Sequence, residues 1–495
     1  MPGTGGGVHV NSKRIGFAAG IALALVIQLI PVPAGLSREA WILASLAVLM
    51  AAWWATEAIP IAATALVPLA TFPLFGIASA GATASPYASP IVMLLLGGFI
   101  IALAIERWML HARIALNVVA AFGSRPSAMI LGFMAAAALL SMWISNTATT
   151  LMMIPIALKV SEAVQKEGVN AKMFAPALVL GIAYAASIGG LATPVGTPTN
   201  LIGIGFLENS FDRTIGFVDW MVIGVPCALV LVPAAWLILT RFAFKVDMRI
   251  ASETGHQTVL AELRALGPMT TPERRVAGAF AIVALLWMGQ QYVWNPVLTW
   301  LSQALDLPIL LSVSNMQIAM MGAVAVFLIP SGREDGEVLM DWTSTARLPW
   351  SVVVLFGGGL SLAAAIQATG LAGWLGSNLT IIADLPLPLI ILIVSLLVVF
   401  LTELTSNVAS VSAILPVLAA LASAVGVAPE LLIVPAALSA SCAFMLPVAT
   451  APNAIVYASG EVSMAQMIKA GFRINLVAAP VIALLASLVG PWMYG

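Results

Sequence analysis

The stretch Ser145–Pro155, "SNTATTLMMIP", returns 261 positions later (406 − 145) as Ser406–Pro416, "SNVASVSAILP". Each copy opens on Ser-Asn in the middle of a long apolar region, 127–160 or 386–425, and each ends on a proline, Pro155 or Pro416. Dividing either region at its Ser-Asn leaves two arms of about 17 residues. A helical arm of that length rises about 25 Å, marginal for a hydrocarbon core of about 30 Å. A pair of short full spans has the same arm lengths. The polar tips favour the other solution, two re-entrant hairpins, because backbone unwound at depth must line a protein cavity.

The rest of the chain is as apolar as these arms. Of 495 residues, 61% are hydrophobic and 8% are charged, and the mean hydropathy is +1.06. Soluble globular proteins carry about 25% charged residues, so this chain cannot cover a surface in water. It reads as an integral membrane protein in contact with the lipid bilayer. Apolar runs of spanning length argue for helices, since barrel strands are short and alternating. Eleven apolar segments stand outside the split regions: 15–34, 40–55, 58–78, 88–106, 173–207, 216–241, 276–295, 308–330, 349–372, 428–458 and 470–493. The expected fold is an all-α polytopic membrane protein with about 11 transmembrane helices plus two re-entrant hairpins.

The expected organisation follows from these segments. Residues 1–14 form a disordered N-terminal tail, and 15–242 form a first half with its hairpin at 127–160. A cytoplasmic loop spans 243–275, and the second half, 276–495, holds the hairpin at 386–425. The apolar run after "NSKRIGF" is expected to be a retained helix, since no small-residue cleavage site follows it. Cys227 and Cys442 lie in apolar runs and read as packing residues. The net charge of −1 points to no partner, and nucleic acid is not expected.

Positive charge orients the chain. With the N-terminus cytoplasmic, each of the eleven segments crossing once and both split regions returning to their own side, only Arg38 and Arg213 fall outside. The other 18 of the 20 Lys and Arg (20 − 2 = 18) are then cytoplasmic, Arg249 among them, as the positive-inside rule demands. The first hairpin then opens from the cytoplasm and the second from the outside. Further pairs agree: "VMLLLGGF" faces "VVVLFGGG", and "ATPVGTPTN" (192–200) faces "MLPVATAPN" (445–453), with Pro194 and Pro447 253 apart (447 − 194). This is an inverted-topology repeat, a common plan for secondary transporters.

The paired motifs mark four expected helix breaks: the two tips and the stretches 193–200 and 447–453. Proline removes a donor and Gly196 loosens the backbone. Broken ends expose carbonyls, which suit a hard cation such as sodium, and N–H groups, which attract an anion. No Lys or Arg lies deep in a span, so a buried anion would need bound cations to offset its charge. Alone, a Ser-Asn pair in a membrane helix is commonly hydrogen-bond glue. The inverted pairing favours a site. Glu403, three residues before the second tip, can pair with backbone or orient the loop, whereas Glu57 reads as interfacial beside the Trp53–Trp54 belt.

"WWATEAIPIAATALVPL", the two Ser-Asn tips, "TPVGTPTN" and "LPVATAPN" together resemble the divalent anion:sodium symporter family of di- and tricarboxylate transporters. The resemblance covers nearly the whole chain. It implies eleven transmembrane helices, two re-entrant hairpins, a homodimer and elevator-type movement of a transport part against a scaffold. By motif matching it implies one sodium site at Ser141, Ser145, Asn146 and Gly196, and another at Thr402, Thr405, Asn407 and Ala449. Substrate carboxylates would meet Asn146 and Thr147 on one side and Asn407 on the other. Two departures from the family pattern mark the pocket: Val408 where the tip commonly has threonine, and Thr199 where the loop commonly has proline. Ala451 replaces the second loop's proline.

The expected function is secondary active transport of a C4-dicarboxylate such as succinate, with co-transported sodium, across a bacterial inner membrane. A sodium-independent dicarboxylate exchanger, or a citrate or sulfate transporter of the same fold, fits the same residues. An enzyme is not expected. An intramembrane protease needs a catalytic serine with a base, paired Asp or a histidine cluster; His9, His111 and His256 are expected in the tail or loops, and no two Asp fall in spans. A passive channel is disfavoured, because oppositely inserted hairpins suit alternating access.

Overall fold

A computed structural model describes residues 6–167, 171–246, 252–309, 311–333, 336–377 and 385–494. Arg249 and residues 1–5 of the expected tail lie outside them. Among the described residues there is no β-strand, only an isolated bridge between Pro330 and Val338. Eight helical stretches among the described residues are long and apolar enough to cross a membrane.

α1 (Gly6–Leu29) already begins inside the stretch expected to be a tail, and it packs along α2 (Arg38–Thr56). Ser37 caps α2 by accepting from the Ala40 N–H at 3.1 Å. Glu57 closes that helix in left-handed backbone, φ 46°, exposed and 3.9 Å from Lys13 Nζ. The segment 58–78 is not one span. Pro60, Pro68 and Pro73 cut it into α3 (Ile61–Thr64) and α4 (Val67–Thr71), followed by α5 (Ala80–Ala84). α6 (Pro90–Arg107) starts on a proline, whose missing N–H costs nothing at a helix start.

α7 (Leu110–Ala120) carries His111 buried at 6% exposure, so this histidine is not in a loop. His9 and His256 also fall on helices, which corrects the loop placement. α8 (Pro126–Ser141) and α9 (Asn146–Lys166) are the arms of the first hairpin, and α9 runs six residues beyond the expected end at 160 (166 − 160). α10 (Ala171–Gly189) and α11 (Pro198–Phe211) are one apolar segment broken in the middle, as the proline and glycine pattern predicts. Gly189 lets α10 lie on the α8 backbone: a side chain there would stand 2.2 Å from the Ala138 carbonyl oxygen.

α12 (Phe217–Leu237) runs into a π-helical turn, and α13 (Glu253–Ala265) follows within the loop 243–275. α13 packs on α7 and α9, with Lys159 2.7 Å from Glu262, so this part of the loop is folded onto the protein. α14 (Thr271–Gly289), α15 (Asn295–Ala304), α16 (Asn315–Leu328), α17 (Trp350–Ala368) and α18 (Leu371–Ser377) lead to the second hairpin. Its arms are α19 (Leu387–Leu401) and α20 (Asn407–Val425). α21 (Glu430–Ala440) and α22 (Ala451–Ala458) form the second broken segment, and α23 (Met464–Tyr494) closes the chain. The halves interlock: α22 packs on α9 and α10, while α11 packs on α20 and α21.

Candidate functional site

The two breaks are held by the same bonds. Asn200, fully buried, donates its amide to the carbonyls of Gly190 and Thr193, both at 2.8 Å. Asn453, also fully buried, donates to Ala443 and Leu446, both at 3.0 Å. Each member of the second set lies 253 residues after its counterpart (443 − 190, 446 − 193, 453 − 200). The sequence repeat is therefore a repeat of hydrogen bonds. Each amide ties two carbonyls of its break, one of which, Thr193 or Leu446, also accepts a backbone N–H, from Gly196 or Ala449. Pro155 and Pro416, by contrast, sit inside α9 and α20 without ending them.

A cavity of about 550 Å³ lies between the halves. From the first half it is lined by Ser145, Asn146, Thr147, Gly196 and Thr197, and from the second by Ser406, Asn407, Val408, Ala449 and Thr450. α9, α11, α20 and α22 begin here, since their first residues Asn146, Pro198, Asn407 and Ala451 all line it. Four helix N-termini thus converge on one volume, each presenting the positive end of a helix dipole. Their N-cap residues are Ser145, Thr197, Ser406 and Thr450; only Thr450 uses its side chain to cap, accepting from the Asn453 N–H at 3.2 Å. The Thr197 hydroxyl accepts from Thr199 and Ser441, both at 3.5 Å, which leaves the Ser145 and Ser406 hydroxyls for a ligand. Around the tips the lining is neutral, and charge enters at Glu106 and Arg347.

Behind the first tip, oxygen atoms converge. A methyl group on Gly190 would lie 3.0 Å from Asn146 Oδ1 and 3.2 Å from the Gly196 carbonyl oxygen. Ser141 Oγ and Asn146 Oδ1 are buried with no hydrogen-bond partner among the described residues. Unpartnered buried acceptors are costly; a hard cation coordinated by oxygens would satisfy them. The second tip differs. The Thr402 hydroxyl lies 2.6 Å from Asn407 Oδ1 and 3.0 Å from the Ala440 carbonyl, to which it donates. Thr405 bonds Ser410 and the Leu401 carbonyl, and borders an apolar pocket beside Trp54 rather than the central cavity.

The expected residues therefore sort by position. Ser145, Asn146, Thr147, Gly196, Asn407, Val408 and Ala449 meet at the cavity. Ser141 and Thr402 are fully buried behind the tips. Thr199 does not face the cavity: it has no exposure, and its hydroxyl lies 2.7 Å from Ser441 Oγ. The hydroxyl at that loop belongs to Thr197. Thr197, Thr450, Ser406 and Gly190 are not among the residues the motifs single out, although the 253-residue offset pairs Thr197 with Thr450 (450 − 197).

Glu403 is 3% exposed and accepts from the N–H groups of Phe444 (2.6 Å), Met445 (2.9 and 3.0 Å) and Leu446 (3.1 Å), and from the Asn475 amide (2.6 Å). It both pairs with backbone and orients the loop. Three donors freed by the second break are thereby gathered on one carboxylate.

A comparison with known families now decides the lineage: the model described as "Sodium:sulfate symporter transmembrane region" matches residues 11–495. The chain belongs to this family, the divalent anion:sodium symporters. Two relatives share its whole layout. The "Sodium-dependent dicarboxylate transporter SdcS" of Staphylococcus saprophyticus is 40% identical over 490 residues, 98% of this chain and 92% of that one. The protein of the same name from Staphylococcus aureus (strain bovine RF122 / ET3-1) is 40% identical over 491 residues, again 98% and 92%. Among solved structures, the Alcanivorax borkumensis YdaH transporter aligns with a TM-score of 0.58 over 99% of both chains at 14% identity. Neisseria gonorrhoeae MtrF aligns with a TM-score of 0.58 over 94% of this chain and 96% of its own at 13% identity. At such identities the likeness extends to the fold alone. This member of the family is thus a helical membrane protein with the transporter architecture.

Proposed function

We propose that the protein carries small dicarboxylates across the membrane together with sodium, with a C4-dicarboxylate such as succinate as its preferred cargo. The observation that carries this reading is the convergence of four helix N-termini, two from each half, on one cavity whose lining is neutral around the tips. Two facing pairs of positive helix ends suit an anion with two separated carboxylates better than one compact dianion such as sulfate. Asn146, Thr147 and Thr197 would meet one carboxylate, and Asn407, Ser406 and Thr450 the other; Val408 supplies an apolar wall. The unpartnered Ser141 Oγ and Asn146 Oδ1, with the Gly196 carbonyl, would hold one sodium ion. The Thr402–Asn407 oxygens and Ala449 would border a second. Thr405 and Thr199 have the weaker claims, given their positions. The names of the relatives, sodium-dependent dicarboxylate transporters, support the cargo and the ion.

The same reading places the hairpins as re-entrant and the N-terminus in the cytoplasm of a bacterial cell, with the chain in its plasma membrane. Glu106 and Arg347 line the cavity on the side given to the cytoplasm by the distribution of basic residues, so the described state faces inward. A second cavity of about 330 Å³ reaches the first break from elsewhere, lined by Pro194 and Leu201. A break with a cavity against each of two faces is what alternating access requires. Elevator movement and a homodimer complete the proposal, the dimer to be checked by the mass of the purified particle. Succinate uptake into proteoliposomes with and without an inward sodium gradient tests the whole. Uptake indifferent to sodium defeats the coupling and favours an exchanger, and sulfate uptake uninhibited by succinate defeats the cargo.

A further inference from the structure

The two halves differ in charge at the position that follows Ser141 and Thr402. Met142 follows Ser141 in the first half, and its counterpart after Thr402 is Glu403 (403 − 142 = 261, the offset of the tips). The Met142 carbonyl merely accepts from the Thr193 hydroxyl. Glu403 instead puts a whole carboxylate at this depth, tied to three backbone N–H groups and one amide. Among the described residues it forms no ion pair. Neutral donors orient such a charge without cancelling it, and a buried carboxylate without a counter-ion is unfavourable. Its neighbour in the chain is Thr402, and the segment it grips, 444–446, leads three residues on to Ala449 (449 − 446).

We propose that Glu403 is a positioning residue whose fixed negative charge makes the second sodium site the tighter of the two and the first to fill. The site at Ser141, Asn146 and Gly196 has no such charge behind it and fills with the dicarboxylate. This rests on the sodium-coupled reading above. At an effective dielectric of about 20, a unit charge within a few ångströms to a nanometre changes cation affinity by about tenfold or more. The order of binding is then set by one residue that touches no ion.

Sodium titration of the purified full-length protein by thermal shift, first without and then with succinate, tests this. Glu403→Gln keeps the shape: its carbonyl can still take the Met445 and Leu446 N–H groups, and its amide can donate to Asn475 Oδ1, which has no partner in this state among the described residues, while the Phe444 N–H gives up its acceptor. It is expected to raise the sodium midpoint without succinate by about tenfold. Asn475→Leu removes a donor but keeps the charge, and should lower the melting temperature with the sodium midpoint within about twofold. Should Glu403→Gln fail to fold, the parent background still decides. Thr402→Val is expected to lose the sodium-only shift; Ser141→Ala should keep it and lose the further shift with succinate. The opposite pattern for these two variants, or an unmoved midpoint in Glu403→Gln, overturns the proposal. A parent that responds to sodium and succinate together keeps the transport reading standing even then, whereas a parent indifferent to both defeats the two together.

Discussion

Gly190 and Ala443 occupy equivalent positions (443 − 190 = 253), yet only the first lacks a side chain. The reason is steric. A methyl group at Gly190 would enter the point on which Asn146 Oδ1 and the Gly196 carbonyl converge, whereas the second half tolerates one. Contacts of 3.0 and 3.2 Å can be relieved by small shifts, so Gly190→Ala should fold. It should raise the sodium requirement for succinate uptake by about tenfold, in the range seen when atoms around a metal ligand change. Normal sodium dependence in that variant removes the first cation site from this location. Val408 is the other telling residue, an apolar side chain on a cavity wall whose opposite tip has Thr147. A hydrogen bond to a charged group contributes about 1.5–3 kcal/mol. Val408→Thr should therefore lower the KM for succinate by about tenfold or more and leave the sodium midpoint alone, which competitive uptake assays can read.

At the scale of elements, a helix broken inside a membrane must find partners for the groups it frees, because lipid offers none. Asn200 and Asn453 do this for carbonyls, and Glu403 does it for N–H groups. Replacing either asparagine with alanine takes the side-chain donor from two buried carbonyls, of which Thr193 or Leu446 keeps a backbone N–H. Each change is expected to cost about 2–4 kcal/mol and to stop transport, with melting and uptake measured side by side. If one of the pair proves silent, the two breaks are not mechanically equivalent. A third tie secures the end of α6: Arg107, with a side-chain exposure of 19%, pairs with Asp341 and Glu337. Those partners are 40% and 24% exposed, so solvent screens them and Arg107→Ala should lose only about 1–2 kcal/mol. A larger drop in melting temperature would mean that the 337–344 segment comes away as a unit.

At the scale of the whole molecule, the cavity belongs to neither half alone. Because broken helices pack across the halves, moving one hairpin relative to the other reshapes all four helix starts at once. Sidedness can be followed cleanly, since the two native cysteines, Cys227 and Cys442, are fully buried. Val352 lines the cavity. A cysteine placed there should label from the cytoplasmic face, and sodium with succinate should slow the labelling by shifting the population away from this state. Labelling from the outer face at the same rate would reverse the orientation assigned to the chain.

The sequence alone determined what depends on composition and on local backbone chemistry. The near absence of charge dictated a membrane protein, and prolines and glycines at a fixed offset marked breaks at 193–200 and 447–453, which the structure opens at 190–197 and 441–450. Ser-Asn at each tip became the start of α9 and of α20, because a serine before a new helix is a local matter. Prolines also misled: Pro60, Pro68 and Pro73 divide a segment whose hydropathy alone reads as a single span. Only the tertiary structure decided which oxygens share a point in space. It turned Thr199 away toward Ser441 and brought Thr197 to the cavity, two residues apart on the same loop. It also gave Glu403 three N–H groups some forty residues ahead in the chain. Side-chain direction at a break and contact between distant breaks follow from packing of one half against the other, and no local pattern encodes that.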